Sequence, residues 1–174
     1  MSVPAITLVP LHAARDLDAV EAVYRRASDY LALESGLTPA AAACAFFEDR
    51  PPAGSDEPMK FGVAGEGGLL AIGDLAFGYP EPDDAYIGLL LLVPERRGAG
   101  LGRAVVEEVR RLALARGASR LLVGVLDANA RGRAFWEEQG FRLTRTSGPH
   151  AFGEKQHVVH RLAQSLTDLP GNCI

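Results

Sequence analysis

Ala85 to Val93 (AYIGLLLLV) is nine residues long and carries no charge. It is apolar at odd and even positions alike, so it reads as a strand covered on both faces. Directly behind it, Pro94 to Gly102 is a turn rich in Gly and Arg. Leu101 to Arg116 then sets Val105, Val109, Leu112 and Ala113 on one helical stripe, and Gly117 closes it as a C-cap glycine does. Arg120 to Leu126 (RLLVGVL) is a second apolar strand. A strand–helix–strand unit of this kind returns by a right-handed crossover, which implies a locally parallel pair. The rest of the chain has to be arranged around that unit.

Ile6 to Val9 reads as a short strand closed by Pro10. From Arg15 to Leu33 the apolar positions Leu17, Val20, Val23, Ala27, Tyr30 and Leu31 recur at helical spacing. Gly36-Leu37-Thr38-Pro39 breaks this helix, and Thr38 with Pro39 starts another that runs to about Asp49. Arg50 to Pro58 and Gly78 to Asp84 have loop composition. Phe61 to Ala64 and Leu69 to Phe77 read as strands joined by Glu66-Gly67-Gly68. Asn129 suits the N-cap of a helix over Ala130 to Gln139, which Gly140 stops. Phe141 to Thr146 and Gln156 to Leu162 read as a closing pair of strands, with a frayed tail from Ala163 onward. No internal repeat is present. The pattern predicts an α/β (α+β) mixed sheet, and 174 residues suit a single domain over 1–174.

Composition narrows the function classes. Apolar residues make up 48% and charged residues 23%, as in an ordinary soluble domain. No apolar run approaches the ~20 residues that span a bilayer, and Met1-Ser2-Val3-Pro4 lacks the form of a secretory signal. Cys44 and Cys173 are too few for a disulfide framework, so the expected address is a reducing cytoplasm. The net charge of −4 hides an asymmetry: residues 1–90 carry 5 basic and 14 acidic side chains, residues 91–174 carry 13 and 8. One region therefore suits cations and another anions. The basic residues form no single block and the total is acidic, which argues against a nucleic-acid binder. No membrane partner is expected.

The turn Arg96-Arg97-Gly98-Ala99-Gly100-Leu101-Gly102-Arg103 carries the strongest chemical signal. Glycines let successive N–H groups converge, the helix N-terminus adds partial positive charge, and the arginines add full charge. Together they suit a phosphate. A P-loop would need a Lys and a Ser or Thr here, and neither is present. A dinucleotide fingerprint counted from Gly98 and Gly100 would need a third glycine where Arg103 stands.

Arg97-Gly98-Ala99-Gly100-Leu101-Gly102 fits an Arg/Gln-x-x-Gly-x-Gly/Ala pattern, and there the sequence resembles the Gcn5-related N-acetyltransferases, the GNAT family. Asn129 to Phe141 (NARGRAFWEEQGF) is similar to the family's second motif, an Asn-led helix ending in Gly-Phe, and one helix and one strand separate the two. The resemblance is clear over residues 60–146. It implies a twisted mixed sheet of about six to seven strands flanked by about four helices, with a splayed parallel pair. It also implies an acetyl-CoA site: backbone N–H groups of Gly98, Ala99, Gly100, Leu101, Gly102 and Arg103 on the pyrophosphate beside Arg97, and main-chain groups of Leu91, Leu92 and Val93 on the pantetheine of coenzyme A. One of those N–H groups would stabilise the oxyanion. Asn129 would touch the cofactor while also capping its helix. Arg131 and Arg133 reach cofactor phosphates or stay solvated; both readings stand open.

The sequence departs from the family where many members carry a Tyr that protonates the leaving thiolate. That position is Trp136, which packs beside the pantetheine or within the core. No general acid is carried over, and a thiolate is a tolerable leaving group near neutral pH. The general base is also unassigned: Tyr86 is the one ionisable side chain between Ala85 and Val93. Tyr30 and Glu34, near the first helix break, are candidates for the acceptor side together with Tyr86. Asp127 and a water-relayed base are alternatives. Cys44 reads as a core thiol. His157 and His160 point to opposite faces of a strand, which excludes a shared metal, and no Gly-x-Ser-x-Gly elbow occurs. The reading is an N-acetyltransferase acting on a small-molecule or peptide amine by direct attack in a ternary complex, with a homodimer neither supported nor excluded. The rivals are a non-catalytic acyl-CoA-binding or sensor protein of the same fold, and an unrelated phosphate or nucleotide binder.

Overall fold

In the computed structural model, residues 6–52 and 55–167 are described. A short strand β1 (Val9–Pro10) leads into three helices, α1 (Ala13–Arg26), α2 (Ser28–Glu34) and α3 (Pro39–Glu48). Thr38 caps α3 by accepting from the Ala41 N–H, and Pro39 needs no partner at the first helical position. Then β2 (Met59–Gly65) and β3 (Gly68–Phe77) close a hairpin over Gly67 and Gly68, whose φ values of +81° and +127° favour glycine. β4 (Asp84–Leu92), a 3-10 turn (Pro94–Arg96), α4 (Leu101–Ala115), β5 (Arg120–Leu126) and α5 (Ala130–Glu138) follow. The long hairpin β6 (Arg142–Phe152) and β7 (Lys155–Ser165) completes the order.

The strands form one sheet in the order β1-β2-β3-β4-β5-β7-β6. Only β4 and β5 run parallel, as the crossover through α4 requires. Each face of the sheet carries its own core. On the side of α4 and α5, Phe61, Leu75, Ile87, Val105, Val109, Leu121, Val123, Phe141 and Leu162 are buried. On the other side Val20, Val23, Leu31 and Phe46 pack over Ile72, Leu91 and Val93. Full burial of side chains of this size contributes about 1.5–3 kcal/mol each. Among the described residues no single helix is long and apolar enough to cross a membrane.

A β-bulge organises the centre. Asp74 lies opposite Leu89 and Leu75 opposite Ile87, so Gly88 is left without a partner on β3. On the other edge, the parallel ladder runs from Asp84–Arg120 to Ile87–Val123 and stops there. The bulge bends β4 where it leaves β5. This is the splayed pair that the family resemblance implied. Gly88 is exposed although it lies in a central strand, and a Cβ there would sit 3.2 Å from the Asp74 carboxyl carbon.

Several expectations need correction. The helix expected over Arg15–Leu33 is two helices, redirected at Ala27, where ψ of +39° interrupts the helix. Ala27 is fully buried and no Gly or Pro marks it, so tertiary packing sets the break. There are consequently five helices rather than four. Cys44 is exposed, not a core thiol, because α3 buries Ala42, Ala43 and Phe46; the run AAAACAFF is apolar all round and gives no stripe to choose between faces. β6 and β7 each run to 11 residues, longer than expected, since cross-strand pairing recruits polar residues that read as loop. Ala163 to Ser165 belong to β7 rather than to a tail. Residues 168–174, with Cys173, lie outside the described residues, as do residues 1–5. The first strand is Val9–Pro10, not Ile6–Val9.

Gly73 is required by close approach. A Cβ there would lie 2.2 Å from the fully buried Phe61 ring. Gly73→Ala is expected to lower stability by about 1–3 kcal/mol, read as a reduced urea midpoint with an unchanged slope.

Candidate active site

The turn after β4 is built for an anion. Gly98 and Gly100 hold φ of +72° and +85° with open space around their Cα atoms. Gly100 is the N-cap of α4 and provides no side-chain cap, and no acidic residue occupies the first turn. The first helical bond is Ala104 N–H to the Gly100 carbonyl at 3.1 Å. Among the described residues the N–H groups of Gly98, Ala99, Gly100, Leu101, Gly102 and Arg103 have no protein partner, and they stand at the positive end of a 15-residue helix. Arg96 and Arg103 are exposed beside them. Gly102 serves packing as well, since a Cβ there would lie 3.2 Å from the Phe135 ring.

Arg97 is engaged by protein partners. Its N–H donates to the Pro94 carbonyl at 3.2 Å, and its Nε donates to the Leu92 carbonyl at 3.1 Å. Its guanidinium pairs with Asp29 of α2 through both terminal nitrogens. Arg97 thus braces the turn against α2, and the pairing holds the Asp29 carboxyl below its ordinary range.

The main chain of β4 also sorts itself. The Val93 N–H donates to the Leu70 carbonyl of the β3 side at 3.0 Å. Antiparallel pairing alternates, so Leu91 likewise faces β3, while Leu90 and Leu92 turn their main-chain groups toward the splay. Of Leu91, Leu92 and Val93, the first and last are engaged with β3, while Leu92 faces the splay as Leu90 does, its carbonyl held by Arg97 Nε.

On α5, the Asn129 side chain accepts from the Gly132 N–H at 2.9 Å, which is the N-cap bond. Arg133 is paired with Glu137 at 2.9 Å, whereas Arg131 is exposed. Trp136 is 7% exposed and stacks edge-on between Phe135 and Phe141, each ring centre 5.1 Å away. It is packed in the core.

The sheet face opposite α4 gathers the acceptor candidates. Tyr30 donates to Glu34 Oε1 at 2.9 Å, one turn apart on α2. His157 Nε2 donates to the Glu34 carbonyl at 2.7 Å, tying the β6–β7 hairpin to the end of α2. Burial raises the Glu34 carboxyl above its ordinary value, partly offset by the Tyr30 hydrogen bond and by His157. Burial and the Glu34 charge raise Tyr30. Tyr86 reaches from β4 across to β5, where a Cβ on Gly124 would meet its hydroxyl at 2.7 Å. Burial raises the Tyr86 hydroxyl against the opposing pull of Arg161, whose guanidinium lies 5.6 Å from the Tyr86 ring centre. Gly124 pairs with Arg161, so Tyr86, Arg161 and His157 share this face. Asp127 instead accepts from His160 Nε2 at 2.7 Å while Thr146 donates to Nδ1 at 2.9 Å, a pin between β5, β6 and β7 on the far face. A separate cavity of about 500 Å³ lies at the opposite end of β4, but Arg120 engages both oxygens of its Asp84.

Residues 20–141 match the sequence profile of the acetyltransferase (GNAT) family. The chain belongs to the GNAT family. It is 33% identical over 79 residues to thialysine N-epsilon-acetyltransferase of Bos taurus, which is 45% of this chain and 46% of that protein. The Sus scrofa enzyme of the same name is 32% identical over the same shares. The chain thus spans about half the length of the curated relatives it matches. Among solved structures it is similar to an acetyltransferase from Thermus thermophilus, with 26% identity, a TM-score of 0.73, and coverage of 95% of this chain and 99% of that one. The ribosomal-protein-S18-alanine N-acetyltransferase of Escherichia coli shares the fold at 19% identity and a TM-score of 0.67, covering 97% and 98%.

In this GNAT chain, Asp74, Lys60, Tyr24 and Arg161 flank the acceptor face without having been singled out from sequence, and His157 joins them although it was weighed only as a metal ligand. Asp74 left a trace, as a charge inside the apolar strand AIGDLAF. The others read as ordinary surface or core residues.

Glu34 binds its proton more tightly folded than unfolded, so its effect on stability is complete below its ordinary value of 4.5 and is lost as pH rises through the raised folded value. Glu34→Gln keeps an acceptor for Tyr30 and removes that loss. Urea midpoints should match wild type at pH 4, exceed it at pH 7, and so fall less between the two.

Proposed function

We propose that this protein is an N-acetyltransferase that moves an acetyl group from acetyl-CoA to a primary amine by direct attack within a ternary complex. The observation that carries this is the run of six unpartnered N–H groups from Gly98 to Arg103, at the uncapped start of α4, immediately beyond a strand pair that parts after Ile87 and Val123. Such an arrangement suits a pyrophosphate at the turn and an extended arm in the splay, against the main chain of Leu90 and Leu92. An N–H there, nearest to the bulge at Leu90, would stabilise the negative oxygen that forms when the amine adds to the thioester carbonyl. Alignment of amine and thioester would supply much of the remaining rate.

The amine enters from the face of α1 to α3. That side is acidic, and positively charged groups suit it. The side-chain amide nitrogen of Asn129 and the Arg131 guanidinium remain available to the cofactor at the start of α5. No acid stands where the family often carries a Tyr, because Trp136 is in the core; the thiolate leaves without one. The same feature favours a second reading, a non-catalytic acyl-CoA sensor. The relatives above are named for the epsilon nitrogen of thialysine and for an alanine of ribosomal protein S18. The acceptor is therefore assigned only as a primary amine of a small molecule or peptide. We place the protein in a reducing cytoplasm, since its two cysteines cannot build a disulfide framework.

Gly100→Asp puts a carboxylate into the turn at a positive φ. In calorimetric titration, wild type should bind acetyl-CoA and the variant should lose at least tenfold in affinity. Equal binding would place the cofactor elsewhere. Release of free CoA on adding amines separates the enzyme from the sensor, which binds without turnover.

A further inference from the structure

β4 carries no carboxylate past Asp84, yet one reaches its bulge from the next strand. Asp74 is 6% exposed, and its carboxyl carbon lies 3.2 Å from where a Gly88 Cβ would be. Asp74 Oδ2 is held by Lys60 Nζ. Oδ1 has no hydrogen-bond partner among the described residues, and it is not sealed off, because no buried side-chain oxygen is left without a partner. Gly88 beside it is open to solvent. From where a Gly88 Cβ would be, Oδ1 is 3.6 Å away and the Lys60-bound Oδ2 3.3 Å, so the free oxygen lies beside the exposed kink of β4, on the side from which an amine would approach.

The surroundings match a cation. Tyr24 of α1 is 4% exposed and its hydroxyl makes no hydrogen bond among the described residues. The hydroxyl is pushed up first by burial and then by the charges of Glu34, Asp49 and Asp74. Asp49 also acts on both Glu34 and Asp74. Against these carboxylates stand Lys60 from β2, the Arg50 charge at the end of α3, and His157 acting on Glu34. Lys60 is committed three ways, to Asp74, to the Asp49 carbonyl at 3.1 Å and over the Phe46 ring at 5.0 Å. No three of these acidic groups converge closely enough for a metal ion. The Asp74 oxygen left without a partner suits a hydrogen-bonding cation such as an alkylammonium.

We propose that Asp74 is the catalytic base of the transfer, its Oδ1 binding the acceptor ammonium at the Gly88 bulge and taking a proton from it. This rests on the acetyltransferase reading above. R–NH3⁺ gives one proton to Asp74, leaving R–NH2 and a neutral carboxyl. The nitrogen lone pair forms the C–N bond to the thioester carbonyl, and the C–S bond then breaks with its electron pair on sulfur. The nitrogen's second proton goes to that thiolate, giving amide and thiol; Asp74 returns its proton to water. Lys60 is a positioning residue that orients Oδ2 and leaves Oδ1 free. Burial raises the Asp74 carboxyl despite Lys60, which brings its basicity closer to what proton removal needs.

The test compares wild type, Asp74→Asn, and Asp74→Asn combined with Lys60→Met, which leaves no buried charge unpaired if the single variant fails to fold. The probe is whichever amine gives the highest kcat/KM in a panel of primary alkylamines, diamines and lysine-containing peptides. Both variants should bind acetyl-CoA within about twofold of wild type and lose about 100-fold or more in kcat/KM for the amine. Their residual rate should climb with pH without a plateau, because free amine must then come from solution. Retention of kcat/KM within about threefold, or a pH profile like that of wild type, overturns the role of Asp74. Acetyl-CoA binding and amine turnover lost in step would reduce Asp74 to a structural residue and overturn it too. Wild type that binds acetyl-CoA but releases no CoA with any amine overturns the acetyltransferase reading and this inference together.

Discussion

The bulge at Gly88 is the constraint on which the rest depends. A parallel pair normally keeps its hydrogen bonds to the end of the shorter strand, and both strands here are apolar enough to do so. The unpartnered residue on β4 bends the strand away from β5 after Ile87 and turns main-chain groups of Leu90 and Leu92 out of the ladder, the Leu92 carbonyl being taken up by Arg97 Nε. Buried backbone groups without partners are costly, so such a gap persists only where the surrounding fold over-determines it. Here α4 and the two cores clamp β4 from both faces.

Charge is distributed to match. The positive end of α4 and the exposed Arg96 and Arg103 lie at the C-terminal end of β4, while Glu34, Asp49 and Asp74 lie on the α1–α3 side. Arg97 joins the two regions, since it holds the Leu92 carbonyl and Asp29 together. Asp29 precedes Tyr30 directly, and Glu34 follows one turn later. The turn after β4 and α2 are thus mechanically connected across the sheet, although 68 residues separate Asp29 from Arg97.

The parts of the site that were legible are local. Gly98 and Gly100 need positive φ, Asn129 caps the helix that follows it, and the strand–turn–helix order is carried by a continuous run of residues. The directions of Arg97, Leu91, Val93 and Trp136 were not legible for one shared reason. Which way a side chain or a peptide group points depends on its partner, and the partners are Asp29, β3 and the rings of Phe135 and Phe141. Cys44 is the same problem on a helix: an apolar run without a polar face does not declare which side is buried. Asp74 shows the reverse case, where a charge inside an apolar strand was a visible anomaly whose meaning needed Lys60 and Gly88 beside it.

What the sequence alone determined is the crossover unit, the hairpin at Gly67, the glycine-rich turn before α4 and the family pattern, because each follows from periodicity, turn chemistry or a contiguous motif. Only the tertiary structure decided the break at Ala27, the position of the bulge, the direction of the β4 peptide groups and the meeting of Tyr24, Glu34, Asp49 and Asp74. Tyr24 lies on α1, Glu34 on α2, Asp49 just beyond α3 and Asp74 on β3, so only the packing of the helices on the sheet relates them. Local propensity acts over a few residues, whereas long-range pairing and burial choose which of the locally allowed arrangements is kept.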